Sequence, residues 1–305
     1  MNLSSVLEEI ESDARQYIGR GMVADYIPAL ARVPADKFGM AVHTAKGQTF
    51  NVGDSAEAFS IQSISKVFSL MLAMRIADDE RLWNRVGREP SGNAFNSLVQ
   101  LEHEKGIPRN PFINAGAIVV IDALISVLDE AKDCFLDYAR RLSGDSSIGF
   151  DEDVARSEYE HGYINFALAN FMKAHDNIEN SLDLVLDAYF HHCSLAMSCE
   201  QLARAFLPLA NDGFSPVIAD SVLTDRQSRQ INSLMLTCGL YDAVGRFAYR
   251  VGLPAKSGVG GGIVAIVPNE MTIAVWAPEL DENGNSVVGT RALELFAQIT
   301  GRSIF

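Results

Sequence analysis

The sequence predicts a mixed α/β fold of the α+β type: one antiparallel sheet assembled from both ends of the chain, helices flanking it, and an all-helical lobe in between. Three observations lead there. Residues 37–52 alternate apolar and polar side chains about a Lys46-Gly47 turn; residues 63–209 carry apolar side chains mainly at helical spacing; and β-branched runs return after Ala255 and Met271, close to the C-terminus.

Taken in order, residues 1–16 place acidic side chains at helical spacing and predict a first helix. The alternation over 37–52 predicts a β-hairpin. From Ser63 the chain turns helical, broken by residues 89–114, whose Pro, Gly and Asn content predicts a long irregular connection of the kind that often lines a site. Asp225–Cys238, after Thr224, predicts a helix. Residues 247–251, the run from Ala255 and the run from Met271 then read as consecutive strands with turns at Gly260 to Gly262 and at Pro268-Asn269, and residues 289–300 close the chain with a helix. The expected division is a sheet lobe of about 1–62 and 225–305 and a helical lobe of about 63–224, with an active site in the cleft between them. No internal repeat or low-complexity tract points to a solenoid or a linker.

The 305 residues suffice for a full core, and a composition of 48% hydrophobic and 21% charged residues belongs to ordinary globular proteins. A formal net charge of -14 excludes a nucleic-acid surface, which needs clustered Lys and Arg. The N-terminus shows no basic stretch leading into an apolar run, and the apolar stretch 118–128 is short and interrupted by Asp122, so no membrane span is expected and a cytoplasmic location is. Cys134, Cys193, Cys199 and Cys238 lack Cys-x-x-Cys spacing and read as reduced thiols without assigned chemistry. His191-His192-Cys193 has no further ligand at metal spacing around it, so core or surface histidines are expected and no metal.

The chemistry concentrates at Ser63-Ile64-Ser65-Lys66, the only Ser-x-x-Lys in the chain, at the start of the first strongly apolar helix. Residues three apart share a helix face. A serine hydroxyl needs a base to take its proton, and a lysine serves only if burial lowers its pKa enough to leave it neutral. Backbone N–H groups at the helix start would also steady an oxyanion beside Ser63. By itself the match is better read as a capping serine followed by a solvated lysine. Lys256-Ser257-Gly258, followed by Val259 and Gly260 to Gly262, is the second element: it matches the Lys-Ser/Thr-Gly strand that accompanies Ser-x-x-Lys in serine β-lactamases and penicillin-binding proteins, in the same chain order. Its glycines allow close backbone approach, so the N–H groups of Val259 and Ser63 are expected to form the oxyanion hole. The third β-lactamase element is undecided between Ser91-Gly92-Asn93 and Tyr163-Ile164-Asn165.

Four longer blocks carry a resemblance over nearly the whole chain. They are Val23-Ala24-Asp25-Tyr26-Ile27-Pro28-Ala29-Leu30-Ala31, the surroundings of Gln62-Ser63, Asn110-Pro111-Phe112-Ile113-Asn114-Ala115-Gly116-Ala117, and Gly239-Leu240-Tyr241-Asp242 running on through Val251-Gly252-Leu253-Pro254-Ala255-Lys256-Ser257-Gly258-Val259. Together they resemble the serine-dependent glutaminases of bacteria and animals, with their β-lactamase/transpeptidase-like fold. The resemblance implies hydrolysis of L-glutamine to glutamate and ammonia, in glutamine catabolism and glutamate formation. It implies Ser63 as the nucleophile of a γ-glutamyl ester, Lys66 as its general base and Tyr241 as proton relay, its pKa lowered by a nearby lysine. Lys256 supports them. Asn114 and Asn165 are implied at the amino-acid head group, Glu158 at the α-ammonium, Tyr189 at the substrate, and Tyr26 and Gln62 as weaker candidates. Without the family, Glu158 reads as one of several solvated acids, and both asparagines as loop or capping residues. No cofactor is implied; a homo-oligomer, dimer or tetramer, is. Two other readings stand beside this one: another acyl-enzyme hydrolase of the same fold, which would cleave nitrocefin, and an inactive scaffold, against which the retention of Ser63, Lys66, Tyr241 and Lys256 argues.

Overall fold

The structure, a computed structural model, describes residues 2–77, 79–92 and 96–305. The Asn93 candidate lies outside the described residues. Five strands form one antiparallel sheet in the spatial order Thr49–Gly53, Gly39–Thr44, Met271–Trp276, Gly262–Val267, Ala255–Ser257. Both ends of the chain therefore meet in it. Side chains alternate across a strand, and here the alternation divides two apolar cores. Met40, Val42, Ile263, Ala265, Ile273 and Val275 face one core, completed by Leu7 and Ile10 of the helix Leu3–Ala14 and by Leu293 and Phe296 of the helix Val287–Thr300. Ala41, Val264, Ile266, Ala274 and Trp276 face the other, built mainly from helices. A sheet covered on both faces explains why Gly39–Thr44 is buried at every position, whereas the edge strand Thr49–Gly53 alternates exposed and half-buried residues.

At the centre of the helical core runs Ser65–Ile76, buried from Ser65 through Met74. It packs on Asn114–Ile125 and Leu182–Cys193, two further helices rich in buried apolar residues. A helix with no polar stripe is stable only when covered all round, which is its situation here. Asp225–Cys238 sends Ile231, Leu234 and Met235 into the same core.

Two expectations are corrected. Residues 247–251 are not a strand: Val244–Arg250 is a helix, with Phe247 buried and Tyr249 exposed two positions on, and Val251 N–H closes its end by donating to Phe247 O at 2.8 Å. Their β-branched and aromatic content reads as strand, but the sheet ends at Ala255–Ser257 and the preceding turn starts a helix. Residues 89–114 are not wholly irregular either. They contain the helix Leu98–His103, started by the Ser97 hydroxyl accepting from Gln100 N–H and seated against Tyr163–Ala174. The C-terminal helix begins two residues before the expected Gly289.

Candidate active site

The chain enters the site from the short strand Phe59–Ser60, passes a 3₁₀ turn Gln62–Ile64 and continues into the helix Ser65–Ile76. Ser63 thus sits in a tight turn just ahead of the α-helix, one turn from Lys66. Gln62 holds a left-handed backbone (φ 49°), as does Tyr241 (φ 51°). Non-glycine residues in that region are costly, and their position on either side of one hydroxyl marks a site over-determined by its surroundings.

The glycines after Lys256-Ser257 allow the second element to close on this turn. A Cβ at Gly258 would stand 2.4 Å from the Ile61 carbonyl oxygen, and one at Gly260 would stand 2.1 Å from that of Ser60. Any side chain there would push Val259 away from Ser63. With glycine, Ser63 and Val259 share the wall of one cavity of about 380 Å³, which also holds Asn114, Glu158, Asn165 and Tyr189.

Lys66 is buried, and its Nζ donates to Asn114 Oδ1 at 2.7 Å and to Phe112 O at 3.2 Å. Asn110 presents that carbonyl by accepting from the N–H groups of Phe112 and Ile113. Burial lowers the amine to about 8, against the opposing pull of Glu158. Asn114 Nδ2 donates onward to Asn165 Oδ1 at 2.9 Å, so base and both asparagines form one chain. Tyr241 is hydrogen-bonded through its side chain to Ser63, and its hydroxyl also lies 3.5 Å from Ser257 O. Its pKa is not lowered, as expected from the lysine nearby, but raised to about 12, because burial of the hydroxyl outweighs the hydrogen bond from Ser63. The lysine in question is itself buried: Lys256 Nζ donates to Ser257 O at 2.6 Å and Gly239 O at 3.0 Å and lies 4.6 Å from the Tyr241 ring centre. Burial, then the charge of Lys66, hold its pKa well below the ordinary value.

In the wall of the same cavity Glu158 is buried and accepts from the Tyr26 hydroxyl at 2.8 Å. The same hydroxyl lies 3.3 Å from Gln62 Oε1. Burial raises the Glu158 pKa, while hydrogen bonds from Tyr26 and Gln62 and the charge of Lys66 draw it back. None of the ion pairs among the described residues uses this carboxylate. A buried acid facing a cavity, held by hydroxyl and amide rather than by a cation, suits an ammonium ligand.

All of the expected site residues therefore converge. Ser63, Asn114, Glu158, Asn165, Tyr189 and Val259 line the cavity; Lys66 stands behind Ser63, and Tyr241 and Lys256 stand on the strand side. Tyr26 and Gln62, ranked lower on sequence, line the cavity as well, and Cys193, which carried no expectation, is in its wall. Cys193 follows Tyr189 by four residues on the helix Leu182–Cys193, a spacing that puts both on one face and was visible in the sequence. His192 belongs to the core, 2.9 Å from Ser69 Oγ and stacked on Phe135. Among the described residues no cluster of three or more potential metal ligands exists, and no helix is long and apolar enough to cross a membrane.

An antiparallel sheet with helices on both faces, and a Ser-x-x-Lys turn set against a Lys-Ser-Gly strand, define the class: the fold is β-lactamase-like. Within it the chain belongs to the glutaminase family, whose sequence profile matches residues 21–305. It is 57% identical over 303 residues to a glutaminase of Vibrio cholerae, covering 99% of this chain and 98% of that protein. Among solved structures, the probable glutaminase ybaS superposes with a TM-score of 0.94 at 33% identity, covering 99% of this chain and 98% of that one. A Bacillus subtilis glutaminase, solved as the covalent complex with 5-oxo-L-norleucine formed by reaction with 6-diazo-5-oxo-L-norleucine, superposes with a TM-score of 0.89 at 32% identity over 100% of both chains.

Proposed function

We propose that this chain hydrolyses the side-chain amide of L-glutamine to L-glutamate and ammonia through a γ-glutamyl ester on Ser63. The observation that carries the reading is a fully buried lysine, its pKa lowered to about 8, one turn from a serine that is itself hydrogen-bonded to a tyrosine. An amine that is neutral in part of the molecules near pH 8 is a competent base for a neighbouring hydroxyl. The covalent complex of the Bacillus subtilis relative, formed by an amino-acid reagent, is consistent with a nucleophile in this pocket.

In this reading Glu158 pairs with the α-ammonium, and Asn114, Asn165 and Tyr189 hold the rest of the head group, directing the amide toward Ser63. Lys66 takes the Ser63 proton as Oγ adds to the amide carbon, and the N–H groups of Ser63 and Val259 receive the oxyanion. A phenol with a pKa of about 12 stays protonated, so Tyr241 donates to the departing nitrogen, and the Lys66 ammonium restores its proton. Water then adds to the ester by the reverse path: Tyr241 takes a proton from the water as it passes its own to neutral Lys66, and the Lys66 ammonium returns a proton to Ser63 Oγ as the ester C–O bond breaks and glutamate leaves. No step calls for a cofactor.

The test is ammonia release from glutamine and asparagine beside nitrocefin hydrolysis, with Ser63→Ala as control. The expected outcome is release from glutamine that falls by about a thousandfold or more in Ser63→Ala, with an unchanged thermal melt. Nitrocefin hydrolysis without ammonia, or wild-type turnover in Ser63→Ala, contradicts the reading.

A further inference from the structure

The turn over residues 281–286 lies outside every motif discussed so far, yet it packs beside the Tyr241 segment. It is closed by its own hydrogen bonds: Asp281 Oδ1 accepts from Asn283 N–H and Asn285 N–H, each at 3.0 Å, Asp281 N–H donates to Asn285 O at 2.8 Å, and Gly284 N–H donates to Asp281 O at 3.0 Å. An aspartate that receives two backbone donors makes a rigid turn out of a short loop.

Two contacts and one close approach join this turn to the Tyr241 segment. Asn285, 1% exposed, places its Nδ2 3.4 Å from the carbonyl of Leu240, the residue before Tyr241. Gly284, at φ 82°, packs so that a Cβ there would lie 3.6 Å from the Tyr241 ring and 3.5 Å from Val259 Cγ1. Arg246, on the helix that follows Tyr241, lies 3.4 Å from Asp281 Oδ2. Asn285 Oδ1 is buried without a hydrogen-bond partner. Leaving half of a buried amide unpaired is costly, so the placement is not explained by satisfying Asn285 itself. Its donor end faces the Leu240 carbonyl, where an oxygen would be repelled.

The need for such a contact follows from the backbone. Tyr241 holds φ 51°, a conformation that its neighbours must impose. The Gly239 carbonyl is fixed by Lys256 Nζ and Ser257 N–H, and the Leu240 carbonyl by Asn285. A phenol that must reach Ser63 is sensitive to small misplacements, since an error of about 1 Å can cost a hundredfold in rate.

We propose that Asn285 is a positioning residue for Tyr241: presented by the Asp281 turn, it holds the Leu240 carbonyl and, with Gly284, sets the left-handed backbone and ring placement that bring the phenol to Ser63. The inference rests on the reading that Tyr241 moves protons at Ser63, and a double-mutant cycle on glutamine turnover separates the two. Asn285→Ala is expected to lower kcat by about tenfold with KM within about twofold and the melting temperature nearly unchanged. The double variant Asn285→Ala/Tyr241→Phe is expected to be no slower than Tyr241→Phe alone, because the amide acts only through the phenol. Wild-type kcat in Asn285→Ala, or losses that multiply in the double variant, overturns the role of Asn285. Wild-type turnover in Tyr241→Phe overturns the underlying reading instead. If Asn285→Ala does not melt cooperatively, Gly284→Ala, which strains the same turn at φ 82° and leaves Asn285 in place, carries the cycle with the same expected non-additivity.

Discussion

Two buried lysines face the site from opposite sides, and their surroundings give them different work. Lys66, on the helix side, donates to one backbone carbonyl and one side-chain oxygen, and that oxygen belongs to Asn114, which lines the substrate cavity. Its pKa falls to about 8, within reach of both protonation states. Lys256, on the strand side, donates to two backbone carbonyls, one just before its own turn and one two residues before Tyr241, and is pushed well below its ordinary value. The first is placed to exchange a proton. The second is a strut under the Tyr241 ring. Burial lowers both, so burial alone does not identify a base; what the amine donates to, and what stands within reach of it, decides.

Substitutions sharpen the contrast. Lys66→Met is expected to give the largest effect, a loss of about a thousandfold or more in kcat, read by ammonia release. Tyr241→Phe follows with about a hundredfold loss in kcat and KM within about threefold, since in the proposed mechanism the phenol acts in the reaction rather than in binding. Lys256→Met, which keeps the length of the strut without its donors, is expected to cost about tenfold and to leave the pH dependence in place. The comparison breaks if Lys256→Met is the more damaging of the two lysine variants.

The pH dependence has a definite sign. In the proposed mechanism Lys66 works when neutral, so kcat/KM is expected to rise as pH increases through about 8 and to fall on the acid side. The same depression bears on stability. Unfolded Lys66 has a pKa near 10.5 and folded Lys66 one near 8, so between those values the unfolded chain binds more protons and stability rises with pH. Below about 8 the full cost of the buried charge is present. Lys66→Met removes it and should be more stable than wild type at pH 7 by on the order of 2 kcal/mol, a difference that shrinks toward pH 10 and is measured by denaturant melts.

Much of this arrangement was legible beforehand, for local reasons. Asp225–Cys238 was readable because Thr224 and Gln227 form a capping box in sequence and in space. The hairpin followed from alternation about one turn, and Ser63 and Lys66 from their three-residue spacing, although Ser63 lies in the 3₁₀ turn that leads into the helix rather than on the helix itself. Non-local facts were not. The bond from Tyr26 to Glu158 spans 132 positions in the chain, and only folding shows that this acid is the buried one among the acids of its segment. The direction of the Tyr241 pKa was misjudged because sequence shows a neighbouring lysine but not how deeply the tyrosine hydroxyl is buried. Residues 247–251 misled because strand-like composition cannot reveal that the sheet ends at Ala255–Ser257.

The central claim, a covalent intermediate on Ser63 and nowhere else, is open to one direct measurement. Cys193 shares the cavity wall and is the obvious rival nucleophile, though burial pushes its thiol up to about 12 and leaves it protonated. Peptide mapping by mass spectrometry after reaction with 6-diazo-5-oxo-L-norleucine should find the adduct on Ser63 in the wild type and in Cys193→Ser, and none in Ser63→Ala. An adduct on Cys193, or one that survives Ser63→Ala, would contradict the account.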